Sequence, residues 1–95
     1  MSMPDISVTE SADDPSGFAF TVEVSGNDGS PTLHDVTLSR DLFDRVAKPD
    51  ETATNFVRRC FEFLLERESK DAILAQFDVA VISEYFPEFE SVMRA

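Results

Sequence analysis

The chain has 95 residues and a mass of 10.6 kDa, and its 42% hydrophobic content, about 40 side chains, supplies one core and not two, which excludes a multidomain enzyme. With 28% charged residues and an ordinary apolar fraction, the composition is not that of a disordered chain. The net charge of −11 falls as −7 over residues 1–35, which hold no Lys or Arg, 0 over 36–70 and −4 over 71–95, a field that repels nucleic acid and anionic membrane surfaces.

Three strands are expected first, at residues 5–10, 17–25 and 32–38. Asp5-Ile6-Ser7-Val8-Thr9 alternates, and Phe18, Phe20, Val22 and Val24 alternate with Ala19, Thr21, Glu23 and Ser25. That period of two marks a sheet with one buried face. His34, Val36 and Leu38 share a face of the third strand. The segments 11–17 and 26–31 are rich in Gly, Pro, Asn, Asp and Ser and are read as the turns of an antiparallel meander, wet on one side.

From Ser39 the period becomes helical. Ser39 is positioned to cap a helix over 40–48 carrying Leu42, Phe43 and Val46, with Pro49 as its stop. A long helix is expected over 50–68. At about 100° per residue it spreads Ala53, Phe56, Val57, Cys60, Phe61, Phe63, Leu64 and Leu65 over an arc of about 200°, too wide for one neighbour. Either the C-terminal helices or a second copy of the chain must cover the surplus. Shorter helices follow at 70–76 capped by Ser69, at 79–86 capped by Asp78, and at 88–94 beyond Pro87, although the β-branched Val79, Val81 and Ile82 also suit a strand. The expected fold class is α+β: a single domain, 1–95, with a three-stranded antiparallel sheet packed on one long helix and flanked by shorter ones.

The stretch Phe61-Glu62-Phe63-Leu64-Leu65-Glu66-Arg67-Glu68, followed by Ile73-Leu74, Phe77-Asp78, Ile82 and Tyr85-Phe86-Pro87-Glu88, resembles a family of small uncharacterised bacterial proteins with an F-x-F-L-L-E-R-E segment and a Y-F-P-E ending. The resemblance covers about 28 residues, mostly packing and capping types. It implies a bacterial origin and a helical C-terminal half. It carries over no activity, ligand or catalytic residue.

Residues with chemical potential each have an ordinary reading. Cys60 is the only cysteine, so no intrachain disulfide forms, and residues 1–5 lack the basic and apolar regions of a secretory signal; a cytoplasmic address is expected. His34 and its neighbour Asp35 point to opposite faces of a strand, so adjacency does not make them a dyad. A zinc site needs a Cys and His cluster that the chain lacks, and neither Asp13-Asp14 nor Asn27-Asp28-Gly29 has the register of a calcium loop. The glycines at 17, 26 and 29 offer no phosphate cradle. Arg58 and Arg59 are read as surface partners of Glu62. No catalytic, cofactor or metal residue is assigned.

The leading expectation is a small acidic, non-catalytic protein-interaction or regulatory module, with a protein partner or self-association, no cofactor, no nucleic acid and no membrane. Its candidate partner surface is Phe56, Arg59, Phe63, Leu65, Tyr85 and Phe89, drawn from the wide apolar arc and the aromatic, acidic tail. Two alternatives stand beside it: a cysteine-dependent enzyme using Cys60 with His34, and an acidic decoy of a nucleic-acid-binding protein.

Overall fold

The alternating apolar residues lie side by side across strands. In the computed structural model, which describes residues 5–26 and 31–94, β1 (Asp5–Asp14), β2 (Gly17–Ser25) and β3 (Thr32–Ser39) run antiparallel in that order. Ile6 faces Val24, Val8 faces Val22, and Val22, Phe20 and Phe18 face His34, Val36 and Leu38, so one face of the sheet is continuously apolar. β1 is longer than its expected 5–10, because a register shift between Glu10 and Ala12 lets pairing resume down to Asp14. The turn expected at 26–31 falls mostly outside the described residues.

The β1–β2 turn is built by Asp14 and Pro15. The Asp14 carboxylate accepts from the Ser16 amide at 2.9 Å, the Ser16 hydroxyl at 2.5 Å and the Gly17 amide at 3.1 Å. Those bonds, the hydroxyl's first, hold its pKa below the ordinary aspartate value. Gly17 is required by crowding: a Cβ there would sit 2.5 Å from the Leu38 carbonyl oxygen of β3.

The expected three-stranded antiparallel sheet is corrected by a fourth strand, β4 (Gln76–Asp78), which pairs parallel to β3 and makes the sheet mixed. Bonds from the Asp35 amide to the Ala75 carbonyl (2.8 Å) and from the Val79 amide to the Thr37 carbonyl (2.9 Å) flank it. Parallel neighbours need a crossover, and the two helices between β3 and β4 provide it. The helix expected over 70–76 is replaced by a single 3-10 turn at Lys70–Ala72, because Ser69 makes no side-chain cap and residues 76–78 find sheet partners.

The single long helix over 50–68 is also corrected: α2 spans Ala53–Leu65. Its start is set by Thr52, whose hydroxyl accepts from the Asn55 amide at 3.1 Å, and not by Pro49 or Asp50. At its end Arg67 folds back and donates to the Phe63 carbonyl at 3.1 Å. The first helix, α1 (Arg40–Val46), is capped by Ser39 as expected, and α3 (Ala80–Tyr85) and α4 (Phe89–Arg94) fall within the helices expected at 79–86 and 88–94. Asp78 accepts from the Ala80 amide at 3.0 Å at the start of α3, which holds Val81 and Ile82, while Val79 stands just before the helix.

Among the described residues, the helices gather over the apolar face of the sheet, with α4 packed against the other three. Phe56 on α2 meets Phe43 of α1 at 5.8 Å, Phe61 meets His34 and Phe77 at 5.4 and 5.9 Å, and Phe63 meets Phe86 and Phe89 at 5.8 and 5.2 Å. The opposite face, including Glu23, Asp35, Thr37 and Gln76, stays open to solvent. Truncating Phe20→Ala is expected to cost about 3–5 kcal/mol, as for a fully buried aromatic. Gly17→Ala is expected to cost about 1–3 kcal/mol by overpacking against the Leu38 carbonyl. Urea denaturation measures both, and an unchanged midpoint for Gly17→Ala would show that β2 and β3 separate there without cost.

Candidate functional site

An apolar groove of about 220 Å³ opens beside the C-terminal end of α2. It is lined by Leu64 and Glu68 at the end of α2, by Ile73, Leu74 and Phe77 before and in β4, and by Val81, Ile82 and Tyr85 of α3 with Phe86 just beyond it. Two large apolar side chains stand open at its mouth: Leu74 is 48% exposed and Tyr85 69%.

The groove has that form because its walls are tied from behind. His34 is almost fully buried; its Nδ1 lies 2.7 Å from the Leu74 carbonyl oxygen and therefore carries the proton, while Nε2 accepts from the Thr32 hydroxyl at 2.9 Å. This holds the backbone before β4 against β3, with Ile73 buried and Leu74 turned outward. On the other wall, the Arg67 guanidinium stacks 3.7 Å from the centre of the Phe63 ring and reaches Glu66 and Glu88, each at 3.3 Å. The charged groups around it are mainly acidic: Glu68 lines the groove, Asp71 and Glu84 are the exposed sequence neighbours of the lining residues Ala72 and Tyr85, Lys70 Nζ lies 3.6 Å from the Asp71 carboxylate, and none of the lining side chains is basic.

Of the residues expected to form the partner surface, the structure brings only Tyr85 to this groove. Phe56, Phe63 and Phe89 lie in the core, and Leu65 is half-buried against it. Arg59 turns back along α2 to Glu51, with Nε and Nη2 donating at 2.5 and 2.6 Å, and its Nη1 donates to the Met93 carbonyl at 3.1 Å. It is therefore a tie between the α2 entrance and α4, where a Glu62 partner had been expected. Leu74, which the helix expected over 70–76 would turn to the core with Ile73 and Phe77, is instead exposed, and it lines the groove together with Val81. The signal that could have found Leu74 is period two: on extended backbone it points opposite to Ile73, whereas on a helix the two share a face.

The other chemically suggestive groups sit elsewhere. Cys60 is fully buried among core residues, and loss of water around the thiol pushes its pKa far up. Both ring nitrogens of His34 are engaged by Thr32 and Leu74. Among the described residues, no group of three or more His, Cys, Asp or Glu is arranged to hold a metal ion, and no helix is long and apolar enough to cross a membrane. Compared with protein-family models, curated proteins and solved structures, the chain matches none.

Hydrogen bonds from Arg59, chief among the causes, hold the Glu51 pKa below the ordinary glutamate value of 4.5. The pair's contribution is therefore fully present above that value and is lost as pH falls through the depressed folded value. Glu51→Gln is expected to cost about 1.5–3 kcal/mol at neutral pH, with the gap to the native chain closing in acid. Denaturation midpoints measured from pH 7 down to pH 3 check this; a gap independent of pH would refute the ion pair.

Proposed function

We propose that the chain is a small acidic, non-catalytic protein-interaction module, and that the groove between α2 and α3 is its docking surface. The observation that carries this reading is the pair of large apolar side chains, Leu74 and Tyr85, left open on an apolar groove with one wall tied to β3 by the part-buried His34 bond. A partner's side chain entering it would remove apolar surface from water without reorganising the chain, which is how an anchor contributes most of its binding energy. The expected self-association through Phe56, Phe63 and Leu65 loses its motive, since α1, α3 and α4 take up the surplus apolar arc within one chain.

Two observations support the non-catalytic part: the sole thiol is sealed in the core, and the sole histidine serves as a strut. In the native protein at neutral pH, Cys60 is expected to resist alkylation until denaturant is added. Rapid labelling of the folded chain would favour the cysteine enzyme.

Docking is tested with a photoreactive residue placed at position 85 and, in a parallel sample, at Thr21 on the open sheet face. Irradiation in host cells is expected to yield a discrete protein adduct from position 85 that disappears when Leu74→Asn and Val81→Asn are added. No adduct at 85, or the same adduct from both positions, overturns the groove as the docking surface.

A further inference from the structure

We infer that the occupant of this groove is a cationic amphipathic helix of another protein, an inference that rests on the docking reading above. Size comes first. At about 220 Å³ the groove is smaller than the roughly 300–1,000 Å³ of sites that enclose small molecules, and it suits a few apolar side chains projecting from a larger body. Backbone comes next. The neighbouring β4 has three residues, so an added strand would gain little of the ladder that makes strand addition favourable, while a helix arrives with its own amides already bonded.

Charge selects among helices. Glu68 stands in the wall, and Asp71 and Glu84 are the exposed sequence neighbours of the lining residues Ala72 and Tyr85; Asp71 already has Lys70 at 3.6 Å, so Glu68 and Glu84 are the carboxylates a cation would meet, whereas Arg67 is engaged by the Phe63 ring, the Phe63 carbonyl, Glu66 and Glu88. Lys or Arg bordering an apolar stripe would meet these carboxylates as the stripe entered the groove. A second copy of the chain is the wrong occupant, because each copy carries −11.

The test is calorimetry on the full chain with three synthetic peptides of one leucine pattern whose polar face is lysine, glutamine or glutamate. The lysine peptide is expected to bind, to weaken as salt rises, and to exceed the glutamine peptide by about tenfold, with the glutamate peptide silent. Leu74→Asn with Val81→Asn, which leaves the net charge unchanged, should weaken the lysine peptide about tenfold or more. Glu68→Gln with Glu84→Gln, changes at a half-buried and an exposed position outside the core, should weaken it about two- to tenfold. Equal binding of the lysine and glutamine peptides would overturn the cationic occupant and leave the docking reading standing. Undiminished lysine-peptide binding by the Leu74 and Val81 double variant would show diffuse attraction to an acidic surface and overturn the inference, as would silence of all three peptides.

Discussion

Everything in this molecule is arranged around the need to cover α2 on more than one side. Phe56 and Phe63 lie two turns apart on one stripe, while Phe61 lies about 140° round the axis, so no single neighbour reaches all three. The chain solves this with three partners. α1 takes Phe56, the α3–α4 segment takes Phe63, and Phe61 meets β3 and β4 through His34 and Phe77. A helix with a narrower apolar face would need only the sheet, and the C-terminal quarter of the chain would then have nothing to pack on.

How much of this was legible depends on the range over which each signal acts. β2 and β3 were readable because period two is local and uninterrupted from Phe18 to Val24 and from His34 to Leu38. Ser39 was readable as a cap because its partner, the Leu42 amide, is three residues away. β4 was not readable: its three residues are held by partners about forty positions earlier, and no local periodicity encodes a pairing at that distance. The ends of α2 were missed for a related reason, since Thr52 and Arg67 act through individual bonds that compete with equally plausible neighbours.

The candidate site follows the same division. Tyr85 was visible in the sequence because an aromatic in an acidic tail stands out, but Phe56, Phe63 and Phe89 are aromatic too and are buried, so composition alone does not separate open side chains from core. What separates them is where the backbone turns. The His34 bond to the Leu74 carbonyl goes with a leucine turned outward near a tyrosine, so the candidate groove owes its form to a histidine that does not line it. The acidic surroundings belong to a charge layout in which, among the described residues, five of the eight Lys and Arg residues already pair with a carboxylate: Arg40 with Asp13, Arg45 with Glu90, Arg59 with Glu51, Arg67 with Glu88 and Lys70 with Asp71.

The parallel pairing of β3 with β4 also orders the folding reaction. The β1–β2–β3 meander closes short loops and is the faster part to assemble, whereas β4 can dock only after a much longer stretch of chain has been brought round. Until it does, the outer margin of β3 from Asp35 to Thr37 is a bare template on which a neighbouring molecule could zip. A strand of three residues thus does for the newly made chain what a lid does for a vessel, and its late arrival is the moment at which intermolecular pairing at that margin is foreclosed.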